Sequence, residues 1–187
     1  VTAMKKKNIC PVCEVKKLIS KCGVHIKAAG EYGNNAALTP PMGWSSWNTF
    51  RNNINEQLIL DTADAMKKSG LLDAGYQYVN LDDCWHSSVR DKGGRLQGDL
   101  KLFSSGIKSL VQQLNEKGFK AGIYSSNGTL TCEDLPASLG NERIDAETFA
   151  DWGIEYFKYD YCHHKLISSL APNIDKIIIS GDKLAED

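Results

Sequence analysis

The feature that most constrains this chain is a regular alternation of β-forming runs with stretches of helical periodicity. "GWSSWNTF", residues 43–50, reads as a short strand and turn. Asn55 then precedes a helix over Glu56 to Lys68, with Leu58, Ile59, Ala63 and Met66 near one side and Gly70 closing it. "YQYVNLDD" is the second strand-like run, rich in β-formers and ending in acids. A polar loop over residues 86–105 follows. Ser105 or Gly106 opens a second helix in which Ile107, Leu110, Val111 and Leu114 recur at helical spacing. Gly118 ends it, and "FKAGIYSS" is the third strand. "DAETFADWG" reads as a third helix with Asp145 as N-cap and Gly153 as stop, and "IEYFKYD" is the fourth strand. Strands alternating with helices predict a parallel sheet built from crossover connections.

The polar candidates Trp47, Asp82, Asp83, Tyr124, Lys158 and Asp160 all fall at the carboxyl ends of these runs. In parallel α/β proteins that rim carries the sites, because the βα loops gather there. Four strands sharing one rim amount to half of an eight-stranded (β/α)8 barrel, a fold that needs about 250 residues. The expected architecture is therefore α/β, a TIM barrel represented by its first four βα units.

Composition enters mainly through what it excludes. With 22 basic and 23 acidic residues, and a formal net charge of -1, the chain has no bulk attraction for nucleic acid. No stretch approaches the roughly 20 apolar residues that span a membrane. Residues 1–37 lack the apolar core of a secretory signal, and "GEYGNNAALTPPMGW" punctuates the passage from this leader to a domain over residues 38–187. The leader is expected to be poorly ordered. Its Cys10, Cys13, Cys22 and His25 read C-x2-C-x8-C-x2-H, a spacing compatible with zinc, although the short loops equally suit a reduced, unstructured segment.

"EYFKYDYC", residues 155–162, carries the sharpest chemistry. Strand side chains alternate, so Lys158 and Asp160 share one face while Phe157, Tyr159 and Tyr161 share the other. A structural ion pair is one reading of the Lys158–Asp160 couple. The other is a carboxylate nucleophile, suited to attack on an anomeric carbon, kept ionised by a neighbouring ammonium. Asp82 and Asp83 are a second acidic cluster. Strict alternation points them apart, but at a frayed or bulged strand end both reach the mouth, where they can accept from vicinal hydroxyls or bind a hard cation. Trp44, Trp47 and Trp85 offer flat faces near the rim, Trp44 more as core and Trp47 more as a platform, and Tyr124 offers a hydroxyl. The tandem His163 and His164 cannot share a strand face and read as loop residues.

"LTPPMGWSSWNTF", "YVNLDDCW", "GFKAGIYSSNGTLTCEDLPASLG" and "DAETFADWGIEYFKYDYC" occur in order over about residues 38–164. Together they resemble the N-terminal half of a family-27 glycoside hydrolase, the α-galactosidase (melibiase) and α-N-acetylgalactosaminidase group. The resemblance implies a (β/α)8 barrel that hydrolyses terminal α-galactosides with retention of configuration and needs neither metal nor organic cofactor. Asp160 then corresponds to the nucleophile. Lys158, Asp82, Asp83, Trp47 and Tyr124 correspond to sugar ligands, and Cys132 and Cys162 to a disulfide. The implied partner is an α-galactoside oligosaccharide or glycoconjugate, and the resemblance admits a homodimer of the full-length protein.

Three departures qualify this. Cys84 lacks the cysteine partner of eukaryotic relatives and is expected as a free buried thiol. Tyr161 replaces a smaller residue and is expected to tighten the pocket. The family's acid/base aspartate, and the residues separating galactose from N-acetylgalactosamine, would lie beyond residue 187, so this stretch alone is expected to be inactive. An α-N-acetylgalactosaminidase or a non-catalytic galactose-binding half-barrel are the alternatives. The Cys132/Cys162 pair suggests oxidising surroundings, while the leader's thiols suggest the opposite.

Overall fold

The structure, a computed structural model, describes residues 39–163. The leader with Cys10, Cys13, Cys22 and His25, His164, and the "IDKIII" tail all lie outside the described residues. Element order is β1 (Gly43–Ser45), α1 (Trp47–Phe50), α2 (Glu56–Lys68), β2 (Tyr78–Asn80), α3 (Ile107–Glu116), β3 (Lys120–Ser126), α4 (Glu142–Trp152) and β4 (Tyr156–Asp160). The strands form one parallel sheet in the order β1-β2-β3-β4. This is an open arc of a (β/α) barrel, with each strand hydrogen-bonded to the next in sequence.

The helices form for local reasons. Asn55 caps α2, its side-chain oxygen accepting from the Leu58 N–H at 2.9 Å, and Lys67 and Lys68 occupy the last turn. Ile59, Ala63 and Met66 are the buried stripe of α2, and Ile107, Leu110, Val111 and Leu114 that of α3. Gly153 ends α4 in the left-handed conformation at φ 84°. These stripes share one core with Val79, Ala121 and Ile123 from the sheet and with Leu81 just past β2. The apolar layer thus lies between sheet and helices, leaving the other face of the sheet to polar residues.

Register defines that second face. Ser45, Asn80, Gly122 and Tyr156 align across the four strands, and Tyr124 aligns with Lys158 and Ser126 with Asp160. Neighbours in register project to the same side, so Asn80, Tyr124, Lys158 and Asp160 share the concave face. The strands approach closely there. A side chain at Gly43 would collide with Tyr78, and one at Gly122 would collide with the Asn80 carboxamide.

Several local readings are corrected. The segment after β1 is the helical turn α1, not a plain turn. Helix α4 begins at Glu142 behind Asn141, three residues before the expected cap. Asp145 sits in its first turn, 1% exposed, and binds Arg90. Strand β2 stops at Asn80, so Asp82 and Asp83 stand just past its end. Trp44 is only half-buried, packed edge-on to Phe50.

Candidate active site

Lys158 organises the carboxyl rim. Its ammonium lies 2.8 Å from Asp82 Oδ2 and 3.9 Å from Asp160 Oδ2. The closer carboxylate is thus Asp82, not the strand neighbour that the sequence pattern singled out. The Lys158 and Asp160 side chains remain 41% and 39% exposed, so both are open to solvent or a ligand. The ammonium also stands 4.9 Å from the centre of the Tyr124 ring, a cation–π contact.

Asp82 is held from several sides. Its Oδ2 accepts from Ser45 Oγ at 3.2 Å and its Oδ1 from the Asp83 N–H, while its own N–H donates to Ser46 Oγ. Asp83 turns away from the hollow. It is 1% exposed, and its two oxygens accept from the N–H groups of Cys84 and Glu133 at 2.8 and 3.1 Å. Burial raises its pKa, against the lowering effect of those amides. Cys84 is a free, half-buried thiol with φ 72°. Burial, with the charges of Asp83, Glu133 and Asp82, pushes it up to about 12, which leaves it an inert thiol at neutral pH.

Asp160 is fixed by the neighbouring strand end. Its Oδ1 accepts from the Tyr161 N–H at 2.8 Å. Its carbonyl accepts from the Asn127 N–H at 3.0 Å and from Ser126 Oγ at 3.2 Å. Ser126 Oγ also accepts from the Cys162 N–H at 2.9 Å. Cys132 and Cys162 form a disulfide between the loop after β3 and the turn after β4, Cα to Cα 5.1 Å. Tyr124, 1% exposed, has its hydroxyl 3.4 Å from Cys162 Sγ. Burial, reinforced by Asp83 and Asp160, raises its pKa, so the phenol stays protonated.

A hollow of about 230 Å³ opens at this rim, lined by the expected Trp47, Asp82 and Lys158. Ser45, Asn48, Asn80 and Tyr156 also line it, and the sequence reading missed them. A signal existed: Ser45, Asn80 and Tyr156 each lie two residues before Trp47, Asp82 and Lys158, the strand period for one face. The Asn80 Oδ1 is buried without a partner. Asp160, Asp83 and Tyr124 are outside the lining. Trp85 is corrected outright: it is fully buried, its Nε1 donating to the Tyr124 carbonyl at 2.8 Å, and it packs on Phe149 and Trp152. Tyr161, 58% exposed, does not line the hollow.

The profile of the family described as Alpha galactosidase A (Melibiase_2) matches residues 39–179, three quarters of the chain. The chain belongs to this family. The α-galactosidase of Coffea arabica is 54% identical over 136 residues, 72% of this chain and 36% of its own length. Alpha-galactosidase A of Cellvibrio japonicus is 50% identical over 145 residues, 78% of this chain and 36% of its own. Among solved structures, α-galactosidase I from Mortierella vinacea superposes with a TM-score of 0.69 at 53% identity, covering 71% of this chain and 33% of that one. The α-galactosidase from Saccharomyces cerevisiae with raffinose gives 0.69 at 46% identity, covering 72% and 29%. The chain thus spans about a third of the length of these α-galactosidases.

Proposed function

We propose that these residues supply the nucleophile-bearing side of the active site of a retaining glycoside hydrolase that releases terminal α-linked galactose. The observation carrying this reading is the Lys158 ammonium set between the Asp82 and Asp160 carboxylates on the concave face, 2.8 and 3.9 Å away, beside a sugar-sized hollow. The names of the α-galactosidase relatives supply the substrate class.

In this reading Asp160 attacks the anomeric carbon and forms a glycosyl ester, which water then hydrolyses. Its Oδ2 is the attacking atom, since Oδ1 accepts from the Tyr161 amide. Lys158 and Asp82 hold sugar hydroxyls as donor and acceptor, and Trp47 packs on the apolar face of the ring. Tyr124 contributes its protonated phenol. Asp83 positions the rim loops and adds an acceptor once a sugar draws its carboxylate round.

Retaining hydrolysis also needs a carboxylic acid about 5–5.5 Å from the nucleophile to protonate the leaving oxygen. Among the described residues, Asp82 and Asp83 of this rim both accept several hydrogen bonds, and Asp134 in the loop after β3 pairs with His163 at 3.0 Å. The reading therefore assigns the acid to residues outside those described, and an α-galactoside is the expected partner.

Calorimetric titration of the chain with galactose, and with its C4 epimer glucose, tests the binding half. Galactose is expected to bind preferentially, and Lys158→Met to weaken it about 10- to 100-fold, as for loss of a charged hydrogen bond. Equal affinity for both sugars, or no effect of Lys158→Met, contradicts the site. An α-galactosyl fluoride activated for trapping is expected to label the Asp160 peptide, and label elsewhere removes the nucleophile assignment.

A further inference from the structure

The disulfide and the candidate nucleophile are close enough to act as one ligand set. One carboxylate oxygen of Asp160 and the sulfurs of Cys132 and Cys162 all lie within 4.8 Å of one another. Tetrahedral zinc, with bonds of about 2.3 Å to sulfur and about 2.0–2.2 Å to oxygen, sets its ligands about 3.5–3.8 Å apart. The two sulfurs, bonded in the oxidised chain, part by roughly 1.7 Å on reduction to reach that spacing, a move that side-chain rotation supplies. Cys132 is exposed, so a thiol reductant can reach the bridge.

The surroundings favour a cation. Glu133 follows Cys132 in the chain, and Asp83 accepts from the Glu133 N–H. The Tyr124 hydroxyl at Cys162 Sγ is a neutral donor able to support a bound thiolate. Opposing this, the Lys158 ammonium lies 3.9 Å from Asp160 Oδ2, but Asp82 at 2.8 Å already claims it.

We propose that reduction of the Cys132–Cys162 bridge creates a zinc site made of the two thiolates and the Asp160 carboxylate. A dithiol reductant gives up two electrons and two protons to the disulfide and leaves as its own disulfide. Zinc then displaces the two protein thiol protons to solvent, accepts one carboxylate oxygen, and keeps a water in the fourth position. The bound metal covers Asp160 and removes both thiolates from reoxidation. The oxidised bridge has no thiolate to offer, so redox state selects between an open carboxylate and a metal-capped one.

The test uses the full chain and needs no hydrolytic activity, so it stands or falls separately from the glycosidase reading. Oxidised and reduced chain are exposed to iodoacetamide with and without zinc chloride, and each cysteine peptide is followed by mass. Zinc is expected to protect Cys132 and Cys162 together in the reduced chain. Asp160→Asn is expected to need about tenfold more zinc for the same protection, on the scale of other lost interactions at metal sites. Alkylation of Cys132 and Cys162 at equal rates with and without zinc overturns the site. Unchanged zinc demand in Asp160→Asn removes the carboxylate from it. The protection experiment needs no substitution, so a folding defect in the variant does not blunt it.

Discussion

At the scale of single residues, His86 shows what burial does to a titratable group. It is 2% exposed, with its ring 4.5 Å from that of Trp85. Burial lowers its pKa to about 4; the Pro136 carbonyl, outside strict hydrogen-bond geometry, opposes this only in part, and the Arg90 charge adds to it. Above pH 6.5, the ordinary histidine value, the ring is neutral in folded and unfolded chains alike. Between pH 6.5 and about 4 the unfolded chain takes up a proton that the folded one refuses, so stability falls as pH falls. The slope is about 1.4 kcal/mol per pH unit, and the full loss about 3 kcal/mol. His86→Phe keeps a ring on Trp85 and is expected to remove this component. Urea unfolding of both proteins from pH 7 to 4 checks it: parallel stability curves would show that His86 contributes nothing to acid sensitivity.

At the scale of elements, the loop after β2 is fastened to α4 by a buried ion pair. Arg90 binds both Asp145 oxygens, at 2.5 and 2.7 Å, and donates to the carbonyls of Gly94 and Ala137 at 2.8 Å. Side-chain exposures of 16% and 2% place the pair largely out of water. Removing one partner strands a buried charge, so Asp145→Asn is expected to cost about 3–5 kcal/mol. The double variant Arg90→Met, Asp145→Leu should be less harmful than that single change. Chemical denaturation of the two variants decides this, and a double variant worse than Asp145→Asn would make the pair a net source of stability. The same residue marks a limit of legibility. Caps and strand faces are local signals, which is why Asn55, Gly153 and the Lys158/Asp160 face could be read from the sequence. Asp145 looked like a cap because its partner is 55 residues away. Trp85 read only as one of three flat faces near the rim, because burial against Phe149 and Trp152 is also a long-range fact. The pairing of Lys158 with Asp82, 76 residues apart, was equally invisible, although the shared rim that brings them together was not.

At the scale of the whole molecule, the rim is held by fewer constraints than the layer beneath it. Strand β1 pairs with β2 over three residues, whereas β3 pairs with β4 over five, and the Cys132–Cys162 bridge lies just past that longer pairing. The apolar core sits on the opposite side of the sheet, so it does not grip the loops that flank Asp160 at the end of β4. Hydrogen bonds from Ser126 and Asn127, and the disulfide, do that work instead. Closing a loop of 30 residues is expected to stabilise the fold by about 3.5 kcal/mol. If the bridge chiefly holds the rim, its loss should be felt locally before it is felt globally. Amide exchange on oxidised chain and on Cys132→Ser/Cys162→Ser separates the two. Position 162, whose N–H donates to Ser126 Oγ, should lose protection by far more than the global drop in stability requires. The Ile123 amide, in the strand that packs on the helices, should lose only the global amount. Equal losses at both positions would mean that rim and core unfold as one unit, and that the Asp160 carboxylate owes its placement to the sheet rather than to the loops that clasp it.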